Sequence, residues 1–218
     1  MGGSPKRLTD DNFLDRYPRW LDEDQVVFMS NRGGEFALWV CRVSSGRLSP
    51  LPASGGLTRF AVSADGRIAA VHAETESLVL LDGAGGRKRV PLDLPGAGGL
   101  HPRSWSPDGR LLIAGIGKHD SVPWAAIFEP DSGKHPMVYP FPYAFTRWLD
   151  DEHLFGLRSG RELVRLRWPD GEPEVLHEAP PGTSLRWLEL SADRRHLTVQ
   201  VIEKKYGIWM LELDRSEP

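Results

Sequence analysis

The stretch RSWSPDGRLLIAG, residues 103–115, places an Asp-Gly turn between two short apolar runs. Asp-Gly between apolar runs predicts a β-hairpin, because this dipeptide adopts the tight turn that joins antiparallel strands. Four other stretches share the pattern: RWLDEDQVVF (19–28), FAVSADGRIAAV (60–71), RWLDDEHLFGL (147–157) and LELSADRRHLTV (188–199). The acidic turn residues are separated by 42, 43, 43 and 42 positions: Glu23, Asp65, Asp108, Asp151 and Asp193. This spacing indicates an internal repeat of about 43 residues.

Two more apolar runs follow the hairpins with the same period. The third runs are ALWVCRV (37–43), LVLLD (78–82), WAAIFEP (124–130), ELVRLRW (162–168) and GIWMLEL (207–213). The fourth runs are RLSPL (47–51), RKRVPL (87–92), KHPMVY (134–139) and PEVLH (173–177). Each repeat therefore predicts four short strands, which we name a, b, c and d, and no stretch keeps a helical period beyond one turn.

These repeats predict an all-β chain: a five-bladed β-propeller of four-stranded antiparallel blades. It would be a single domain over 1–218, with blade repeats at about 13–54, 55–97, 98–142, 143–182 and 183–218. The fifth repeat has strands a to c, while PKRLT (5–9) precedes the first strand a and its Leu8 lies 43 residues before Leu51. We expect this N-terminal strand to close the last blade, which removes an exposed sheet edge. Alternatively, PKRLT belongs to a preceding blade of a longer protein.

The repeat resembles that of a known family. SWSPDGRLLI (104–113) is similar to the turn motif of TolB-like propeller repeats, the WD-repeat-like kind found in bacterial proteins. QVVFMSNRGGEFALWVCRVSSGRLSPL (25–51) resembles the rest of that repeat, with SNRGG where the family usually has Ser-Asp-Arg-Asp-Gly, and PKRLT resembles its closing Arg-Leu-Thr. The resemblance covers essentially the whole chain. It is specific in the first and third repeats and weaker in the second, fourth and fifth, and in the fourth Asp-Asp-Glu replaces Pro-Asp-Gly. It implies a bacterial propeller, a kind that also occurs within lyases and serine peptidases.

Composition limits the class of protein. The 218 residues carry 27 Lys and Arg against 30 Asp and Glu, and a net charge of −3 argues against a general nucleic-acid binder. The single cysteine, Cys41, excludes an internal disulfide and a cysteine-based zinc or iron–sulfur cluster. No apolar run approaches the ~18 residues of a membrane span. The N-terminus lacks the apolar region of a signal peptide. We expect a monomer, cytoplasmic if the chain is complete and periplasmic if a signal peptide has been removed.

Catalytic motifs are not found. The sequence has no Gly-x-Ser-x-Gly, no Gly-x-Gly-x-x-Gly and no Walker loop, and its seven histidines make no metal-spaced pair. We predict no catalytic residue, no metal and no cofactor, and a non-enzymatic scaffold that binds a protein or peptide. The alternatives are a propeller-type lyase or glycosidase, a sugar-binding protein with a site at the channel mouth, or the sensor domain of a larger bacterial regulator.

The connections between strands lie at two ends of the blades. The a–b and c–d turns share one end, and the b–c loops and d–a connections share the other. The a–b turns are rich in Asp and Glu, either because these residues form turns or because they attract a basic partner or a cation. Each strand a also carries arginine, at uneven offsets from the turn: Arg16 or Arg19, Arg59, Arg103, Arg147 and Arg186. Because strand side chains alternate between faces, we expect these arginines to pair with nearby acids rather than form a ring.

Three tryptophans occupy one position of the repeat. Trp20, Trp105 and Trp148 each lie three residues before the acidic turn residue. This regularity predicts a core position between blades, with Trp105 largely buried.

The b–c loops and d–a connections vary most between repeats. A binding site needs such variation, because identical positions in every blade form a symmetric surface. We therefore predict that the partner binds at this end, through the aromatic and cationic residue types that anchor protein interfaces. The candidate residues are Arg32, His119, Tyr143, Phe145, Arg161, Trp187 and Tyr206. Because the charges at this end roughly cancel, the affinity should depend weakly on salt.

Overall fold

The computed structural model describes residues 7–82, 85–90, 99–116, 124–132, 137–140, 143–190, 196–202 and 206–212. These residues form nineteen β-strands and no helix, which confirms the predicted all-β chain. No described segment is a helix long and apolar enough to cross a membrane.

Consecutive strands pair as antiparallel meanders. The first sheet contains β1 (Asp15–Trp20), β2 (Gln25–Ser30), β3 (Ala37–Arg42) and β4 (Arg47–Pro50). The second contains β5 (Leu57–Val62), β6 (Ile68–His72), β7 (Leu78–Leu81) and β8 (Arg87–Val90). The third contains β9 (Leu100–Trp105), β10 (Leu112–Ile116), β11 (Trp124–Phe128) and β12 (Met137–Pro140). The fourth contains β13 (Tyr143–Trp148), β14 (His153–Arg158), β15 (Glu162–Arg167) and β16 (Glu174–Glu178).

The fifth sheet has three strands, β17 (Ser184–Leu190), β18 (His196–Ile202) and β19 (Tyr206–Glu212). We call the five sheets blades one to five, so that four of them have the predicted four-stranded antiparallel order. Of the predicted closing strand 5–9, residues 7–9 form no strand and the first two residues lie outside the described part. Closure of the last blade therefore stays a prediction.

The chain divides into two compact units. Unit 1 comprises Met1–Leu92 with Leu100–Pro102, and unit 2 comprises Asp93–Gly99 with Arg103–Pro218. In unit 1, one face of blade one packs against blade two. Val27, Leu38 and Val40 from blade one join Leu57 and Ile68 from blade two in one buried cluster. Side chains two positions apart on a strand share a face, so alternate residues build this core.

Blade four of unit 2 is buried on both faces. Its Phe155 and Leu163 pack with Leu197 of blade five in one cluster. On the opposite face, Trp148 and Leu154 pack with Ile113 of blade three in another. The apolar sequence of β14 follows from this double burial, because neither face is left for polar residues.

The repeated tryptophan position has two outcomes. Trp105 is 3% exposed and Trp148 is 2% exposed, which confirms the predicted core position in the third and fourth repeats. The prediction for Trp20 is wrong, because this side chain is 58% exposed. Trp148 packs against blade three, which precedes it in unit 2. Trp20 pairs with Val26 in β2, and neither residue belongs to the cluster that blade one shares with blade two.

Candidate functional site

The turns confirm that the blades have two distinct ends. At one end, the a–b turn of blade one meets its c–d turn, because the Val43 N–H donates to the Asp24 carbonyl at 2.7 Å. In blade four the Trp168 N–H donates in the same way to Glu152 at 2.6 Å. At the other end, the Gly56 N–H of a d–a connection donates to the Phe36 carbonyl of a b–c loop at 3.2 Å.

The acidic residues of the a–b turns bind groups of their own turn or of the adjoining c–d turn. Asp24 accepts bonds from the Ser44 amide and hydroxyl at 2.7 and 2.8 Å, and Asp108 accepts the Arg110 amide at 2.9 Å. Asp150 accepts the amides of Glu152 and His153 at 2.8 and 2.7 Å. These bonds are typical of Asp as a turn former, so the local conformation accounts for much of the acidic excess at this end.

The same bonds change the acidity of these carboxyls. The Ser106 hydroxyl and the Arg110 amide lower the pKa of Asp108, and the Ser44 hydroxyl and amide lower the pKa of Asp24. Hydrogen bonds to the ionised form stabilise that form relative to the neutral acid. The turns are therefore held by carboxylates that stay charged into acidic solution.

The arginines of the a strands have different surroundings in the two units. In unit 1, Arg59 lies 3.5 Å from Glu76 and its guanidinium is 3.3 Å from the His101 ring, so it pairs with an acid as predicted. In unit 2, Arg147 is buried, and burial together with the Arg147 charge lowers the pKa of Arg103 to about 10. The charges of these two arginines of neighbouring a strands therefore lie close enough to interact, which the sequence did not predict.

Bulges explain why simple alternation failed for these strands. The pairing register shifts between Arg16 and Arg19 in β1, between Thr58 and Phe60 in β5, and between Arg186 and Leu188 in β17. β13 has the same irregularity between Ala144 and Arg147. An extra residue reverses the face on which later side chains lie.

Arg32, the candidate residue of blade one, lies in a dense set of contacts within unit 1. Its side chain is 7% exposed, 2.8 Å from Asp15 and 3.2 Å from Asp11. Its guanidinium also lies over three aromatic rings, 5.2 Å from Phe28, 5.3 Å from Trp39 and 5.7 Å from Phe13. Arg32 thus ties the segment before β1 to strands β2 and β3.

Three candidates of unit 2 lie near the b–c end of blades four and five. Arg161 is in the b–c turn of blade four, Tyr143 begins β13 opposite Arg158, and Tyr206 begins β19 opposite Ile202. Phe145 lies in β13 and Trp187 in β17. The structure describes the backbone of these aromatic residues and not their side chains, while His119 lies outside the described residues.

A cleft on blade two was not predicted from the sequence. It has a volume of about 370 Å³ and is lined by His72, Thr75, Ser77, Val79, Arg87 and Arg89. The first three lie at the b–c loop, and the two arginines lie on the outer strand β8. The sequence identified RKRVPL as a strand, and the alternation of Arg87 and Arg89 on one face was the available signal. The position of His72 on that face could not be predicted, because it depends on the conformation of the b–c loop.

One atom of this cleft is buried and unsatisfied. Within the described residues, Nδ1 of His72 is inaccessible to solvent and makes no hydrogen bond. Gly56 packs against the same ring, since a Cβ at that position would lie 3.0 Å from His72 Nε2. The φ of Gly56 is +72°, a conformation that also favours glycine.

The described residues contain no group of three or more His, Cys, Asp or Glu placed to hold a metal ion.

No protein-family model and no curated protein sequence matches the chain. Several solved structures resemble it. TolB from Acinetobacter baumannii matches 97% of this chain and 57% of its own, with a TM-score of 0.64 and 14% identity. A TolB-type protein from Agrobacterium tumefaciens matches 94% of this chain and 79% of its own, with a TM-score of 0.74 and 13% identity. Oligogalacturonate lyase from Vibrio parahaemolyticus matches 94% of this chain and 65% of its own, with a TM-score of 0.62 and 12% identity. The chain thus spans just over half the length of the Acinetobacter protein, and its all-β fold is that of the distant TolB-like propellers.

Proposed function

We propose that this chain is a non-enzymatic propeller module that binds a protein or peptide at the end formed by its b–c loops and d–a connections. The observation that carries the proposal is the main-chain bonding between these segments. In blade four, the Leu185 N–H donates to the Gly160 carbonyl at 2.7 Å and the Ala179 N–H donates to the Arg161 carbonyl at 2.7 Å. Loops held in this way lose little conformational freedom on binding, which favours affinity.

Arg161 supplies a suitable anchor on this surface. Its exposed guanidinium donates to the Ala179 carbonyl at 3.1 Å and lies 3.7 Å from Glu178. A guanidinium that is already oriented can form planar bonds to a partner at a low entropic cost. Tyr143, the first residue of β13, pairs with Arg158, which directly precedes this turn. Aromatic residues and arginine are the common anchors of protein interfaces.

The test is capture of a partner from the source cells, followed by titration with the purified partner. The Arg161→Ala variant and the Tyr143→Ala/Phe145→Ala variant should each weaken binding by about tenfold or more, as expected for central anchors. Raising the salt concentration should change the affinity little, because apolar contacts dominate.

Arg110→Ala is the matched control. Arg110 is an exposed turn arginine of the same unit, 3.6 Å from Glu129, but it lies at the a–b end. Binding that is lost in Arg110→Ala and kept in Arg161→Ala would place the partner at the acidic end and refute the proposal. The lyase and glycosidase alternatives require turnover, so cleavage of a sugar or peptide by the purified chain would refute the non-enzymatic function.

A further inference from the structure

We propose that the cleft of blade two binds an oxyanion, a phosphate or carboxylate group, through Arg87, Arg89 and His72. This inference goes beyond the proposed function, because it assigns a separate site on unit 1 to a small chemical group. It can be measured without any protein partner.

The first argument is the placement of two cations on one face. Arg87 pairs with Leu81 and Arg89 pairs with Val79 across the sheet, so both side chains leave β8 on the face that carries Val79. Both arginines line the cleft, and no carboxylate is among its described lining residues. Guanidinium groups match the planar geometry of oxyanions and bind them with two parallel bonds.

The second argument is the unsatisfied nitrogen of His72. The main-chain N–H of His72 donates to the Ser77 carbonyl at 3.0 Å. This pairing places the imidazole on the sheet face that also carries the side chains of Ser77 and Val79. Its buried Nδ1 has no partner within the described residues, and a buried polar atom left in this state destabilises the fold. An imidazole N–H can donate to an oxyanion, and a rotation of the ring toward the cleft would bring this nitrogen to a ligand there.

The third argument is the hydroxyl pair at the mouth of the cleft. Oγ1 of Thr75 and Oγ of Ser77 lie 2.7 Å apart, and both residues line the cleft. One hydroxyl of the pair donates to the other, which leaves one O–H as a neutral donor beside the two guanidiniums. A volume of about 370 Å³ lies near the lower limit of ligand pockets, which suits a small group better than an extended ligand.

Charge on an outer strand has another common role. Lysine and arginine on an edge strand discourage pairing with other sheets, and β8 is an edge strand with three exposed cationic residues. That role does not require Arg87 and Arg89 to share a cleft with a half-buried imidazole. The two explanations differ in what they predict for anion binding.

The experiment is a titration with inorganic phosphate in which the imidazole NMR resonances of His72 report binding. In the wild type these resonances should shift in a saturable manner. The Arg87→Gln/Arg89→Gln variant should bind phosphate about tenfold or more weakly, since two charge-assisted bonds are lost. Arg47→Gln is the matched control, because Arg47 begins β4 as Arg87 begins β8 and is also exposed, and its affinity should match the wild type. Circular dichroism and melting temperature establish that each variant is folded.

A second titration distinguishes the source of the anion. A short glutamate-containing peptide and its glutamine counterpart are added separately. Binding of the glutamate peptide alone indicates a carboxylate on a chain, whereas binding of phosphate alone indicates a phosphate group. The proposal is overturned if neither probe shifts the His72 resonances, or if the double arginine variant binds them as tightly as the wild type.

Discussion

Trp20 and Trp105 occupy the same position of the repeat and have opposite environments. Trp105 is 3% exposed and Trp20 is 58% exposed. The local sequence is similar at both sites, so the difference arises from the residues that lie over each ring. A repeat position therefore specifies which face of the strand a side chain joins, while burial depends on the neighbouring blade.

This pair makes a direct test of the core. Trp105→Ala should lower the free energy of unfolding by about 3–5 kcal/mol, because it leaves a cavity in a packed interior. Trp20→Ala should lower it by less than about 1 kcal/mol, because the exposed ring loses few contacts. Urea unfolding of the two variants measures both effects. Equal losses would show that Trp20 is buried in solution.

The Arg32 network predicts a dependence of stability on pH. Burial raises the pKa of Asp15, but hydrogen bonds from Ser30 and Arg32 outweigh it and hold that pKa below its usual range. A lowered pKa in the folded state adds stability above the unfolded pKa of about 3.9, and this stability is lost as the pH falls below it.

Asp15→Asn should therefore destabilise the protein by about 1–3 kcal/mol at pH 7, because it leaves the buried Arg32 guanidinium incompletely paired. The difference from the wild type should shrink between pH 7 and about pH 3, because Asp15 binds a proton in the unfolded state before it does so in the folded state. Asp10→Asn is the control, since the Arg7–Asp10 pair is exposed and should contribute little at either pH. An effect of Asp15→Asn that is the same at both pH values would contradict the assignment.

At the scale of elements, the b–c turn of blade four shows how a turn selects its residues. Ser159 has a φ of 54° and Gly160 has a φ of 65°, and the Arg161 N–H donates to the Arg158 carbonyl at 3.0 Å. Two successive positive φ values identify a type I′ turn, whose twist suits an antiparallel hairpin. Serine is strained at the first position, while glycine is suited to the second.

Substitutions in this turn should have opposite signs. Ser159→Gly should raise the free energy of unfolding by about 0.5–1 kcal/mol, because relief of strain exceeds the added entropy of the unfolded chain. Gly160→Ala should lower it by about 1–2 kcal/mol through strain alone, since a Cβ there lies 3.7 Å from the nearest atom, the Leu185 carbonyl oxygen. Thermal or urea unfolding measures both, and a stabilising Gly160→Ala would rule out the assigned turn.

Strand existence could be predicted from the sequence, but strand irregularity could not. Apolar runs and Asp-Gly turns at a constant period placed the hairpins, because burial and turn geometry act within a few residues. The bulges in β1, β5, β13 and β17 depend on packing around the strand, so the face on which Arg147 lies in β13 could not be foreseen. The His72 cleft was missed for a related reason, since it joins a loop to an outer strand about fifteen residues further along the chain.

At the scale of the whole molecule, the blades of each unit cover one another to different extents. Blade four is buried on both faces by its neighbours in unit 2, whereas blade one buries one face against blade two and leaves Trp20 exposed. Stacked repeats bury apolar surface only where a neighbour is present. Within each unit, the blades that pack together are therefore interdependent.

The predicted closing strand 5–9 is tested at this scale. Leu8 lies at the repeat position of Leu51, so Leu8 should occupy strand d of the last blade. Deletion of residues 1–9 should then lower the melting temperature and promote association, because an uncovered strand edge is a template for pairing with other chains. Leu8→Asp should have a smaller effect of the same sign, since it introduces a charge without removing main-chain bonds.

Deletion of residues 1–4 is the control and should change neither property. A chain without residues 1–9 that stays monomeric and melts at the wild-type temperature would exclude closure by this strand, and PKRLT would then belong to a different blade.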